Sequence, residues 1–377
     1  MIGHKRIPTR SGGVEVVVEE LSTRMAEKGN DVVVYNRHCK EEKINSYRNV
    51  KIVEVKTFER SSLNALVYSF FATIKCIFKK YDVIHFHAEG PCAMIPIAKL
   101  FGKKVVATIH GLDWQRSKWG GFASKYIMFG EKMAAKHADK VIVLSKNVKK
   151  YFKDTYGCEA VIIPNGINRV KREDAEIIKS KYGLVKDSYI LFLARITPEK
   201  GLDYLIDAYK SLNTDKKLVI AGSINPETEY IRSFLEKAKG TKDIIFTDFV
   251  SGKTLAELFS NCYVYVLPSD IEGMPMSLLE AVGYGAGVIV SDIAENTDCL
   301  DGYGNSFKHG DTQSLKEVLN YCLEHSELKD CDFKAGITPS DVEKKREELS
   351  AKYDWDNITD LTLGIYKSVQ NKKYSEK

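Results

Sequence analysis

No apolar run in this 377-residue chain reaches the roughly 20 residues that a membrane-spanning helix needs. The stretch from Met1 to Arg10 is polar and basic and has no apolar signal core, so a cytoplasmic location is expected, extending to peripheral association at the inner face of the cell membrane. The eight cysteines (Cys39, Cys76, Cys92, Cys158, Cys262, Cys299, Cys322 and Cys331) are scattered, with no C-x-x-C pair. That argues against a disulfide framework and a thiolate zinc site, and it fits a reducing compartment. There is no G-x-G-x-x-G fingerprint of a dinucleotide site, no low-complexity segment and no recognisable nucleic-acid motif.

What is present is an ordinary globular composition, 44% hydrophobic and 28% charged, on a chain long enough for two domains with full cores. The net charge of +5 is unevenly spread: residues 1–160 hold 28 Lys and Arg against 16 Asp and Glu, +12, and the remainder holds 28 against 35, −7. A basic first half suits an anionic partner, such as phosphate, membrane lipid or nucleic acid, or simply a soluble surface.

Short apolar runs rich in Val, Ile, Leu and Phe alternate with helical stretches. In the first half they lie at 31–35, 51–55, 82–87, 104–110, 140–144 and 160–163; in the second at 189–193, 217–221, 244–247, 263–267 and 287–291. Continuous runs of this kind suit strands buried on both faces of a parallel sheet, and the β-α-β-α order predicts an α/β protein. The pattern lapses from Pro164 to Lys186, which sets a boundary between a domain of residues 1–165 and one of residues 166–355. Only Met1-Ile2-Gly3 precedes the first loop, so the first strand is either very short or lacks upstream residues.

Three blocks carry chemistry. Gly12-Gly13 stands at a strand-to-helix turn, where backbone can approach a ligand and a helix N-terminus faces an anion. Arg195 and Lys200, in Phe192-Leu-Ala-Arg-Ile-Thr-Pro-Glu-Lys-Gly201, follow a strand end beside a helix predicted to begin near Pro198; two cations there suit a diphosphate, or are solvated surface charges. Glu272 and Glu280, in Pro268-Ser-Asp-Ile-Glu-Gly-Met-Pro-Met-Ser-Leu-Leu-Glu-Ala281, flank a helix start. A carboxylate only accepts hydrogen bonds and so suits ribose or hexose hydroxyls, while Gly273 and Met274 can offer backbone N–H groups. An acidic helix start accounts for Glu272 alone. His110 and Asp113 lie at and beyond another strand end.

Taken in order, the Gly12-Gly13 loop, Pro164-Asn165-Gly166, Arg195 with Lys200, and the E-x7-E of Glu272 and Glu280 resemble the family 4 (group 1) retaining glycosyltransferases across nearly the whole chain. The first loop, I-P-T-R-S-G-G-V-E, further resembles bacterial rhamnosyltransferases of surface-polysaccharide synthesis. The resemblance implies the GT-B fold, two Rossmann-like domains facing across a cleft, with a final helix from about 356 to 377 crossing back onto the first. It implies that Arg195 and Lys200 hold the diphosphate of a nucleotide-sugar donor, that Glu272 contacts the donor sugar, and that Glu280 contacts the ribose. The Gly12-Gly13 loop would bound the diphosphate and acceptor side, and His110 would lie near the reacting sugar with Asp113 as its neighbour.

His85 and His87 share one side of a strand, which suits cleft-edge or buried histidines better than a metal pair, with His87 within reach of acceptor. Trp114, Arg116, Lys118 and Trp119 are candidates for contact with a glycan or lipid-linked acceptor, and 63–78 reads as a sheet-covering helix that could dock on a membrane. Neither Asp330-Cys-Asp332 nor Asp354-Trp-Asp356 follows an apolar strand, so no catalytic metal and no cofactor is expected. Two rivals are a UDP-N-acetylglucosamine 2-epimerase-like enzyme and a basic nucleic-acid-binding protein; the latter leaves Glu272 and Glu280 without a role.

Overall fold

The computed structural model describes residues 1–9, 12–38, 44–57, 64–115, 121–225, 228–325 and 339–371. The chain divides into two compact units, Met1–Gly166 with Trp355–Lys377, and Ile167–Asp354.

The first unit carries β1 (Val33–Arg37), β2 (Ser46–Tyr47), β3 (Val50–Val55), β4 (Ile84–His87), β5 (Val105–Ile109), β6 (Lys140–Val143) and β7 (Val161–Ile162). β1 pairs parallel with β3, whose other edge takes the antiparallel β2; β4 to β7 form a parallel ladder in chain order. The Met1–Gly3 segment joins the two ladders. Ile2, fully buried, receives a bond from His87 N (2.8 Å) and donates to His85 O (2.9 Å), while Met1 O accepts from Tyr35 N (3.1 Å). Gly3 fits this seam because it has φ +123° and a Cβ there would lie 2.0 Å from His87 O. Counting Ile2 as the first strand, the parallel members run 3-2-1-4-5-6-7, the doubly wound order.

Right-handed crossovers place the Gly13–Glu27 helix on one face of this sheet, and the Asn64–Ile77, Ile95–Leu100 and Gly121–His137 helices on the other. The last helix, Trp355–Asn371, packs on Gly13–Glu27 and is tied there by Lys28–Asp360 (2.7 Å) and Arg24–Asp356 (3.2 Å). Trp355 is buried against Gly166, where a Cβ would come within 2.4 Å of the indole.

The second unit is a six-stranded, wholly parallel sheet: β8 (Tyr189–Leu193), β9 (Lys217–Ala221), β10 (Ile244–Asp248), β11 (Val264–Leu267), β12 (Val288–Ser291) and β13 (Asn305–Phe307). Its order is β10-β9-β8-β11-β12-β13, again 3-2-1-4-5-6. Both units are therefore α/β with strands that run parallel apart from the edge strand β2, as the alternating apolar runs predict, and each has its own buried core. Strands β2 and β13 lie outside the predicted runs.

Candidate functional site

In a doubly wound sheet, ligands bind beyond the carboxyl ends of the strands where the order reverses. In the second unit that point lies between β8 and β11. The loop after β8 holds Arg195 and Lys200, and the loop after β11 holds Glu272, Gly273 and Met274. Lys200 Nζ lies 2.5 Å from Glu272 Oε1, and Ser269 Oγ donates to the same oxygen at 2.7 Å. The pair is well shielded, with side chains 12% and 6% exposed.

The two loops are locked together. Asp270 N donates to Glu199 O at 2.9 Å, and Gly201 takes φ +63° at a place where a Cβ would sit 2.0 Å from Pro268 O. Pro198 begins a short 3-10 turn, Pro198–Lys200, and the α-helix itself starts only at Leu202 because Gly201 turns left-handed between them. Arg195 is exposed and makes no ion pair among the described residues. Glu280 is half-buried in the second turn of the Met276–Gly283 helix, whose N-cap Pro275 supplies no side-chain hydrogen bond. Gly273 and Met274 are buried just before that helix.

Sequence reasoning did not single out two other groups at this edge. Ser269, fully buried, is held through its carbonyl, which accepts from Ser291 Oγ. Asp270 receives His309 Nε2 at 2.8 Å. The available signal was position, since Ser269 and Asp270 follow β11 and His309 follows β13.

In the first unit the order reverses between the Ile2 segment and β4. The loop after Ile2 is clamped by Asn36 at the end of β1: its Oδ1 accepts from Ile7 N (3.1 Å) and lies 3.0 Å from His4 Nε2, and its Nδ2 donates to Ile7 O (2.8 Å). Glu15 and Glu19 on the next helix accept from Lys5 N and Thr9 N. Gly12 is the uncapped N-cap of that helix in extended backbone, and Gly13 is its first residue.

After β4 and β5 the histidines converge. His85 and His87 stack at 4.1 Å between ring centres, and His87 Nδ1 lies 3.2 Å from His110 Nε2. His85 is bound at both nitrogens, by Tyr366 OH (2.6 Å) and Thr108 Oγ1 (2.7 Å). Burial drives both His85 and His87 well below the ordinary imidazole range, and neighbouring positive charge adds to it. His4 is pushed down by burial to about 3. His87 Nε2 is buried with no protein partner among the described residues.

Beside them stands Glu89, which sequence reasoning missed. It is fully buried, and its Oε1 accepts from Asp113 N at 2.9 Å while its Oε2 has no partner among the described residues. Burial, then the charge of Asp113, holds its carboxyl well above the usual range. Glu89 thus anchors the loop that follows His110. The Trp114 indole packs at a tilt against Tyr151, 6.5 Å between ring centres, and the Tyr151 hydroxyl donates to buried Glu131 at 2.8 Å. Arg116, Lys118 and Trp119, like Asp330-Cys331-Asp332, lie outside the described residues. Asp354 pairs with Arg169 at 2.9 Å and Asp356 with Arg24, so both carboxylates of the second D-x-D string make structural ion pairs. Among the described residues no three His, Cys, Asp or Glu side chains are grouped to hold a metal ion, and no helix is long and apolar enough to cross a membrane.

Comparison with known proteins converges on one class. The profile for Glycosyltransferase Family 4 matches residues 11–171, and that for Glycosyl transferases group 1 matches residues 174–332. An uncharacterized glycosyltransferase of Methanocaldococcus jannaschii is 28% identical over 76% of this chain and 75% of its own length. The O-antigen biosynthesis glycosyltransferase WclY of Escherichia coli is 24% identical over 72% of this chain and 79% of that protein. Among solved structures, HepE of Anabaena in complex with UDP and glucose superposes with a TM-score of 0.77 over 95% of this chain and 97% of that one, at 16% identity, a likeness of fold.

Proposed function

Because this chain belongs to the family 4, group 1 glycosyltransferases, we propose that it moves a sugar from a nucleoside diphosphate to a hydroxyl acceptor, with retention at the anomeric carbon. The observation that carries this reading is the Lys200–Glu272 pair at the switch point of the second sheet. There the second unit holds the donor. Arg195, exposed and without an ion pair among the described residues, and Lys200 face the diphosphate; Glu280 takes the ribose. Among the described residues both side-chain hydrogen bonds to Glu272 fall on Oε1, so its Oε2 is the oxygen offered to donor sugar hydroxyls. The first unit supplies the acceptor side, with His110, His87, Asp113 and Trp114.

In the reaction the acceptor oxygen bonds to the anomeric carbon as the bond from that carbon to the diphosphate oxygen breaks. The acceptor proton passes to the departing phosphate on the same face. Negative charge grows on the diphosphate, and fixed cations stabilise it without a metal. A role in bacterial surface polysaccharide or glycoconjugate synthesis draws support from the resemblance to WclY, and a rhamnosyl donor from the I-P-T-R-S-G-G-V-E loop.

The test is product analysis with a panel of UDP-, GDP- and dTDP-sugars and hydroxyl acceptors in excess EDTA. The reading expects a glycoside with the donor's anomeric configuration. An inverted product, activity restored only by Mg²⁺ or Mn²⁺, or acceptor-free epimerisation of UDP-N-acetylglucosamine contradicts it.

A further inference from the structure

We propose that the outer face formed by the Asn64–Ile77, Ile95–Leu100 and Gly121–His137 helices of the first unit docks on an anionic lipid bilayer. It rests on the transferase reading in one respect, that a bilayer is where a lipid-linked acceptor is presented.

The three helices lie side by side on one face of the sheet, since the crossovers from β3 to β4, β4 to β5 and β5 to β6 all run the same way. Eleven large hydrophobic side chains are exposed among the described residues, and eight of them fall here, too many for scattered surface residues. The first helix does two jobs. Tyr68, Ala72 and Cys76 face the core, while Phe70 and Phe71 point outward and Phe78, just beyond it, is 72% exposed. Phe78 meets Phe101 edge to face, 6.1 Å between ring centres, so the aromatic surface continues from the first helix to the end of the second, where Leu100 is 84% exposed. On the third helix Phe122, Lys125, Phe129, Lys132 and Lys136 are all exposed at i, i+3, i+7, i+10 and i+14, which is a single face.

Charge selects the occupant. Residues 64–80, 95–104 and 121–137 together hold nine lysines, no arginine and one acid, Glu131, which is fully buried. Lys99 and Lys104 pair with Asp139. Lys75 and Lys103 bond only to backbone carbonyls, and Lys79, Lys80, Lys125, Lys132 and Lys136 have no carboxylate partner among the described residues. Phenylalanines beside unneutralised lysines fit the interface of an anionic membrane, rings in the acyl boundary and amines at the headgroups. The same face on a second copy would bring like charge against like.

The test is co-sedimentation of the full chain with vesicles of phosphatidylglycerol and phosphatidylcholine, or of phosphatidylcholine alone, at low and high salt. The expected result is binding to the anionic vesicles only, weakened by salt. Phe122→Ser with Phe129→Ser should lower partitioning about 10- to 100-fold. Lys125→Gln, Lys132→Gln and Lys136→Gln together should abolish the lipid preference. All these side chains are exposed, so melting temperature and affinity for UDP, GDP and dTDP in solution should be unchanged in every variant. No binding of the wild type at low salt, equal binding by wild type and variants, or phenylalanine variants that dissociate a dimer without altering vesicle binding overturns the proposal. Such a failure with nucleotide affinity intact leaves the transferase reading standing; absence of nucleotide affinity in the wild type strikes that reading instead.

Discussion

Two sites occupy the same topological place in the two units, yet their chemistry differs. After β8 and β11 the second unit sets a lysine against a glutamate with a serine hydroxyl on the same oxygen, near an exposed arginine that makes no ion pair among the described residues. After Ile2, β4 and β5 the first unit sets three mutually close histidines, two of them kept neutral by burial, beside a carboxyl group that burial also pushes toward its neutral form. One edge is built to meet charge, and the other to hold hydroxyl-scale hydrogen bonds in a dry setting. On the proposed reading, the His85, His87 and Glu89 groups that burial keeps toward their neutral forms suit a hydroxyl acceptor, and the Arg195 and Lys200 edge suits the diphosphate.

The sharpest way to break this contrast is Lys200→Ala. It removes the cation proposed to face the diphosphate and leaves Ser269 as the hydrogen-bond partner of the Glu272 carboxylate among the described residues. Turnover should fall about 10²- to 10³-fold in a protein that still folds, with Arg195→Ala in the same range. Near-normal turnover in both, measured on purified folded protein, would mean that the second site is not electrostatic.

A smaller effect probes the neutral side. Glu89 has a folded-state pKa above its unfolded value of 4.5, so between the two the folded chain holds a proton that the unfolded chain has released. It therefore adds stability as pH falls through that window. His4, His85 and His87 work in the opposite sense, since the unfolded chain binds protons below 6.5 that the fold refuses. Glu89→Gln should therefore lose stability on acidification from pH 6.5 to 5 more steeply than the wild type, by up to about 1.4 kcal/mol per pH unit. Parallel stability curves for the two proteins would show that Glu89 is ionised in the fold.

Much of the fold is legible in sequence because buried parallel strands write themselves as continuous apolar runs; Tyr189–Leu193 and Val264–Leu267 are plain. Asn305–Phe307 is not, because a three-residue edge strand with one apolar side chain carries no periodic signal. The side shared by His85 and His87 follows from alternation alone. The Lys200–Glu272 bond does not, because the partners are 72 residues apart and only the β8–β11 pairing brings them together. Glu89 was illegible for a different reason. A glutamate just past a strand end reads as a solvated charge, and only the packing around it makes it buried and short of a partner.

The central claim is that the second unit's charged edge binds the donor through a division of labour between two glutamates. Calorimetric titration of a nucleoside diphosphate into the wild type, Glu280→Gln and Glu272→Gln tests it most directly. Glu280→Gln keeps the shape and removes a charged acceptor, so affinity should fall about 10- to 150-fold, the range for a hydrogen bond to a charged group. Glu272→Gln should leave affinity for the bare nucleotide nearly unchanged and lower only turnover of the complete donor. Unchanged nucleotide affinity in Glu280→Gln would contradict the account.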